Sequence, residues 1–348
     1  MTPAARRVAL RALLDAAGLD GLLVTDLLNV RYLTGFTGSN GALLLTRDGA
    51  LFGTDSRYTA RAAVEVPDLE PLIERGTVAA LAARATGRIG FESDAVTVEG
   101  HAALAAVTDA ELVRAPGLVA QLRVVKDETE IAALRRACAI ADQALTDLLH
   151  GPLEGRTERE IALDLEFRMR ALGADGPGFD SIVAAGAHSA IPHHAPTDTL
   201  VAANDLLKLD FGALVDGYHS DMTRTVVVGR AADWQRELYA LVHAAQAAGC
   251  AAVEPGVATK EVDAASRDVI VAAGRGEFFV HGLGHGVGLQ IHEAPALSAS
   301  SADVLEAGMC VTVEPGVYLP GRGGVRIEDT LVVDGETLTG FPKELLEI

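Results

Sequence analysis

Leu206–Gly229 reads LLKLDFGALVDGYHSDMTRTVVVG, two Val- and Leu-rich runs joined at Asp216-Gly217. Asp-Gly between apolar runs is a strong hairpin signal. Asp210 and Asp221 stand one on each arm, eleven residues apart. In a hairpin with a two-residue loop, an odd separation puts both side chains on one face of the ladder. A loop at Val215-Asp216 would set the two carboxylates directly opposite, and a loop at Asp216-Gly217 would make them diagonal neighbours. Like charges on adjacent strands of an apolar hairpin repel. The pattern therefore calls for a positive charge between them, and a metal ion is the simplest one.

A second stretch repeats this grammar. Val311–Gly335 reads VTVEPGVYLPGRGGVRIEDTLVVDG. Asp210-Phe211-Gly212 is answered by Glu314-Pro315-Gly316, and Asp221-Met222-Thr223 by Glu328-Asp329-Thr330, each followed by a Val-rich strand. Both turns contain glycine, and the second reads as three residues longer. Upstream, Gly155 to Glu160-Ile161 parallels Gly256 to Glu261-Val262 at a constant offset of 101. A repeat of this period implies two structurally equivalent halves. Two such hairpins would bring four carboxylates to one place.

The 348 residues allow two domains, and 49% apolar with 22% charged residues is the balance of a soluble globular protein. A net charge of −19 argues against nucleic-acid or anionic-membrane binding, which needs a basic face. The N-terminus has no apolar targeting region, and no apolar run is long enough to span a bilayer. Cys138, Cys250 and Cys310 are too few and too scattered for a disulfide framework and read as buried free thiols. These features place the protein in the cytoplasm.

Residues 1–120 read as a compact α/β unit, with a helix through Leu10–Ala17, a strand at Gly21–Thr25 and a hairpin of Ala42–Thr46 with Ala50–Thr54. The glycine-rich Thr34–Gly41 is neither a dinucleotide fingerprint nor a P-loop. It reads as a tight loop between strands, with a rim over a substrate site as the alternative. Asp55-Ser56-Arg57-Tyr58 reads as an ion-paired corner. The character changes around Gln121–Asp127, where a long helix opens with Ile131, Leu134, Cys138, Ala141 and Leu145 on one face. Thr157 with Glu160 is a capping box, opening a helix with Ile161, Leu165, Met169 and Leu172 that stops at Gly173. Asp233–Gly249 and Thr259–Gly274 are two further helices. The expected organisation is α+β, with domains at 1–124 and 125–348.

Eight of the ten histidines lie between His188 and His292, under a third of the chain. In HGLGHGVG (His281–Gly288), glycine at every second position lets backbone approach a ligand or strand closely. His285 is the best imidazole ligand for the carboxylates, a set that suits Mn, Fe, Co and Zn and favours the harder members. His193 and His292 read equally as donors to a substrate oxygen or as ordinary hydrogen-bonded side chains. Five protein ligands shared between metals imply a dinuclear, oxygen-rich centre that makes water a nucleophile near neutral pH. No Ser or Cys sits in a nucleophile elbow. The residues alone thus read as a two-metal hydrolase of open substrate.

DFGALVDGYHSDMTRT, HGLGHGVGLQIHE, VEPGVY and VRIED together resemble the pita-bread metallopeptidases, which include methionine aminopeptidase, aminopeptidase P and prolidase. The resemblance covers nearly the whole chain and implies a creatinase-type N-terminal domain before a pita-bread catalytic domain with an internal pseudo-twofold repeat. It implies that Asp210 binds one of two divalent ions, that Asp221 and Glu328 bridge both, and that His285 and Glu314 complete the other. Manganese comes first, with cobalt or zinc as alternatives. By the same resemblance His193 and His292 contact substrate, Arg326 stands behind the ligands, and Glu314 carries the proton to the leaving amine. Intact ligands argue against the creatine-hydrolysing branch and the non-catalytic members. Prolidases of the family place an arginine soon after HE-x-P, where it can grip a dipeptide's carboxylate; here no Lys or Arg occurs from Glu293 through Val313. The reading is therefore an Xaa-Pro aminopeptidase acting on peptides with proline in second position, with Xaa-Pro dipeptidase as the alternative. Arg31 or Arg57, or a partner subunit of a homodimer, could supply the missing grip.

Overall fold

Asp216 and Gly217 both take positive φ, +50° and +77°, as a two-residue turn matching strand twist requires. Val215 pairs with Tyr218 and Leu214 with His219, and beyond a break Phe211 pairs with Met222 and Asp210 with Thr223. The register is the same on both sides, so Asp221 falls opposite Gly212 and diagonal to Asp210. The break is forced by contact. A Cβ on Gly212 would lie 1.7 Å from the Ser220 carbonyl oxygen, so only glycine lets the strands pass so closely.

The second hairpin keeps one register throughout, Val313 against Asp329 and Gly316 against Arg326, and turns over three residues between Leu319 and Gly323. Glu314 and Glu328 therefore fall directly opposite each other. This corrects the turn length read from sequence. The second turn is one residue longer, and the rest of the difference in carboxylate spacing is the diagonal stagger of the first pair. Both ladders are interrupted at the carboxylates, the second where Pro315 has no N–H to give.

This geometry comes from a computed structural model describing residues 1–348, whose chain divides into units Met1–Arg123 and Val124–Ile348. In the second unit the helices Glu128–Leu149 and Glu158–Ala171 pack on the first hairpin, burying Leu145, Ile161, Leu165 and Met169 against Leu207, Leu209 and Val226. Helices Asp233–Ala251 and Thr259–Ala272 pack on the second, burying Val242, Val262 and Ile270 with Val311, Val325 and Leu331. The repeat extends to the turns. Gly155 and Gly256 share φ near +80° (+80° and +86°), and each donates its N–H at 2.8 Å, to Val201 and to Leu305. Leu172, placed on the buried face by its spacing, is instead 39% exposed, because the helix has ended at Ala171 and Leu172 only caps it.

The hairpins are joined by threonines. Thr225 Oγ1 donates to the Arg326 carbonyl, Thr330 Oγ1 to the Asp221 carbonyl, and the Glu328 N–H donates to Thr223 O. Behind them Arg224, 1% exposed, donates to Asp329 Oδ1 at 2.8 Å.

The first unit holds a six-stranded mixed sheet in the order Leu72–Ile73, Ala50–Thr54, Gly41–Thr46, Gly21–Val24, Arg88–Phe91, Glu111–Arg114. Thr34–Gly41 does not join strands. A helix, Leu27–Thr34, leads into it, capped by Asp26 Oδ1 accepting from the Leu28 N–H and ended by Gly35 at φ +84°. Asp26 and Gly35 are the start and stop signals that the sequence reading passed over. Arg57 holds Asp55 through two hydrogen bonds at 2.9 and 2.8 Å, the expected corner. Of the three thiols, Cys138 and Cys310 are buried and Cys250 only partly so.

Gly212→Ala should force the first hairpin apart, at a cost of about 1–3 kcal/mol. The expected result is a melting midpoint lowered by several degrees together with weakened retention of divalent metal, read by calorimetry and elemental analysis.

Candidate metal centre and active site

Asp210, Asp221, Glu314 and Glu328 line one cavity of about 310 Å³ with His285, His193, His292, His281 and Arg326. Three of the carboxylates are buried, Asp210 to 7%, Asp221 to 4% and Glu328 to 1% exposure. Arg326 is the single Lys or Arg in the lining. Its guanidinium pairs with Asp210, reaches Glu314 at 4.0 Å, and donates to Thr223 Oγ1 and Tyr318 OH. One fixed cation among four carboxylates, three of them almost fully withdrawn from solvent, leaves a deficit of positive charge.

The imidazoles are oriented by their own backbone. His285 Nδ1 lies 3.0 Å from the Gly286 carbonyl, which can only accept, so Nδ1 carries the proton and Nε2 is turned inward. That inward nitrogen meets Glu314 Oε1 at 3.3 Å and Asp221 Oδ2 at 3.5 Å. Ligand atoms of Asp221, His285 and Glu328 all lie within 4.8 Å of one another. Lone pairs converging in this way need a proton or a cation between them. The donor set, four carboxylates and one imidazole, fits oxygen-preferring divalent metals.

His281 repeats the device. Its Nδ1 donates to the Gly282 carbonyl at 2.8 Å, so Nε2 accepts from Tyr318 OH at 2.8 Å, and Tyr318 in turn accepts from Arg326. Glycine is obligatory between these rings, since a Cβ on Gly284 would lie 2.0 Å from the Thr312 carbonyl oxygen. The His292 ring stands edge-on to His285 at 4.4 Å. The next residue, Glu293, is held by Lys126 Nζ at 2.6 Å.

Residues 132–335 match metallopeptidase family M24, and residues 6–125 match the creatinase/prolidase N-terminal domain. The chain belongs to metallopeptidase family M24. It is 46% identical over 347 residues to a Bacillus subtilis protein described as an uncharacterized peptidase, YqhT, covering 97% of this chain and 98% of that one. Among solved structures it is similar to an Xaa-Pro dipeptidase from Bacillus anthracis, at 40% identity and TM-score 0.97 with full coverage of both chains. It is also similar to an X-Pro aminopeptidase from Thermotoga maritima, at 35% identity and TM-score 0.90, covering 95% of this chain and 98% of that one.

The M24 peptidase thus brings His193, Asp210, Asp221, His285, His292, Glu314, Arg326 and Glu328 to one cavity. Arg31 and Arg57, named from sequence as a possible carboxylate grip, belong to the first unit and are not in its lining. Histidine clustering was a coarser guide. His193, His281, His285 and His292 line the cavity, whereas His188 and His194 face Glu158 and His219 faces the Gly288 carbonyl. Sequence reasoning passed over the His281–Tyr318–Arg326 chain, although the four-residue spacing of His281 and His285 was a signal for it. It also left out the apolar wall of Phe179, Ile182 and Ile291.

Burial first, and then the neighbouring carboxylates, push Asp221 and Glu328 well above the ordinary carboxylate range. Burial would raise Glu314 as well, but the His285 ring and the Arg326 charge outweigh it and hold Glu314 at about 2. For His285 burial acts downward, and the Glu314 hydrogen bond and charge outweigh it, so its pKa is raised. Between about pH 5.5 and about pH 8 an unfolded chain has ionised carboxylates and loses its imidazole protons. In the folded, metal-free site Asp210, Asp221, Glu328 and His285 hold their protons to higher pH than in the unfolded chain, so their contribution to stability falls as pH rises. His281 and His292, pushed down mainly by burial, act the other way through the imidazole range. Glu314 is ionised in both states there and adds no slope. A divalent ion competes with the retained protons. Chelated enzyme should therefore melt lower at pH 8 than at pH 5.5, and added manganese should stabilise it more at pH 8. A metal increment that stays flat with pH would contradict this account.

Proposed function

We propose that this M24 peptidase cleaves the peptide bond preceding proline and that its substrates are Xaa-Pro dipeptides. The observation that carries the reading is the single cavity in which the metal-donor set, the His193 and His292 rings and an apolar wall of Phe179, Ile182 and Ile291 meet. The apolar wall suits a pyrrolidine ring, and the dipeptide preference draws support from the full-length likeness to an Xaa-Pro dipeptidase.

Asp210, Asp221, His285, Glu314 and Glu328 would hold two divalent ions, with manganese favoured by the oxygen-rich set. Such ions, when bound, acidify water and polarise a carbonyl. The remaining work falls to the chain. Arg326 fixes Asp210, and Thr223 Oγ1 donates to Glu328 Oε2 at 2.7 Å, so two of the carboxylates are aimed before substrate arrives. Glu314, held ionised, accepts the proton released by the attacking water and delivers it to the proline nitrogen as the C–N bond breaks. His193 and His292 donate to the carbonyl oxygen as it gains charge. His292 is held neutral by burial and by the neighbouring His285.

A second reading, Xaa-Pro aminopeptidase, is favoured by the charge inventory. The cavity's one Lys or Arg, Arg326, is already committed to Asp210 and Tyr318, which leaves no guanidinium in the lining for a dipeptide's carboxylate. Turnover of an Xaa-Pro dipeptide beside an Xaa-Pro-Xaa tripeptide, on enzyme dialysed and reloaded with manganese, separates the two. Dipeptide preference is expected; tripeptide preference would establish the aminopeptidase, and failure on both would remove the proline reading. Asp221→Ala and Glu328→Ala should each abolish turnover, and substantial activity in either with metal supplied would sink the assignment of these two residues as shared ligands.

A further inference from the structure

His193 reaches the cavity from a segment without regular structure. Neither helix nor strand occurs between Ala190 and Leu206. Its ring makes no hydrogen bond within the chain, so its position is set by the backbone on either side. Both sides are anchored. Before it, Lys208 Nζ, on a side chain with no exposure, donates to the Ile191 carbonyl at 2.6 Å and the Pro192 carbonyl at 3.1 Å. Arg326 Nη1 donates to the same Pro192 oxygen at 3.2 Å.

After it the anchor is Glu158, in the first turn of helix Glu158–Ala171 and 0% exposed. Every donor to its carboxylate comes from residues 185–197. Oε1 accepts from the Ala185 N–H at 2.8 Å and His188 Nδ1 at 2.9 Å. Oε2 accepts from His194 Nε2 at 2.8 Å, the Thr197 N–H at 3.0 Å and Thr197 Oγ1 at 2.7 Å. A carboxylate offers about four lone-pair sites, so five donors saturate it. Burial alone would raise its pKa, but the Ala185 amide and the His194 ring lower it to about 2, keeping it an acceptor at any working pH. Ligand atoms of Glu158, His188 and His194 lie close enough together to hold a metal ion. The saturated oxygens point to an anchoring role instead.

We propose that Glu158 is a positioning residue of the peptidase, acting through His194 and Thr197 to aim His193 at the substrate, with Lys208 as the opposing anchor. This rests on the reading that His193 contacts substrate. Glu158→Gln keeps the shape but turns an NH2 toward groups that donate. Displacing His193 by about 1 Å is expected to cost on the order of tenfold to a hundredfold in kcat/KM.

The experiment is a double-mutant cycle of Glu158→Gln with His193→Ala, in manganese-loaded enzyme on an Xaa-Pro dipeptide, with Thr197→Val and Lys208→Met as further variants should Glu158→Gln fold poorly. Each anchor variant should reproduce the split between kcat and KM seen in His193→Ala. Adding it to His193→Ala should cost little more, with the metal content per chain unchanged. Full additivity would overturn the positioning role while leaving His193 in the reaction. A His193→Ala enzyme as active as the wild type would instead overturn the reading beneath it. Loss of a bound ion in Glu158→Gln would make the cluster a metal site and also overturn the proposal.

Discussion

Four carboxylates converge on one buried cavity with a single guanidinium to offset them, and this imbalance governs the design of the catalytic unit. An isolated chain has no reason to bring Asp210, Asp221, Glu314 and Glu328 together, since each approach adds repulsion that burial strengthens. A raised affinity of Asp221 and Glu328 for protons, driven first by burial, is one relief and a divalent ion would be the other. What keeps the oxygens from moving apart lies in the scaffold. The hairpins are fixed in register on both sides of the site and joined across it by Thr225, Thr330 and the Glu328 amide. The buried Arg224–Asp329 pair locks the residues directly behind Asp221 and Glu328.

The repeat explains how such strain is carried. Each half of the unit has its own helix pair and largely its own core, and the two cores meet where Leu206 and Val227 of the first hairpin pack into the second. The site lies at the seam, and its charge cost is set against two cores. The halves are not copies in detail. The first places its carboxylates diagonally across the Gly212 break and the second sets its pair face to face. Four oxygen donors therefore surround a volume and do not merely form two identical rungs.

Carboxylates and histidines are held by different means. The carboxylates ride on strand ends or at ladder breaks, where backbone hydrogen bonds fix direction. His193 rides on a loop and is held by side chains, Glu158 and Lys208 on its two flanks. His292 stands beside a strand start at Glu293, tied by Lys126. Groups that bind ions need rigid placement, whereas groups that meet a substrate stand on segments set by a few replaceable contacts.

The sequence alone determined which donor residues stand as candidates. Two DG/GRGG hairpins with paired acids, an HGLGH segment and a constant offset of 101 specify local turns and repeats, which depend on neighbours in the chain. From these the carboxylate quartet and His285 were legible, as was the proton-carrying candidate Glu314 once the family resemblance was drawn. Only the tertiary structure decided the stagger of Asp210 and Asp221, because Gly212 must pass the Ser220 carbonyl. It alone joined His281, Tyr318 and Arg326, and it alone turned Glu158, one residue of an ordinary helix start, toward a loop more than thirty positions away. Hydrogen bonds between distant segments leave no periodic trace in the chain. Their partners are chosen by how the cores pack, and packing is settled only when both halves are folded.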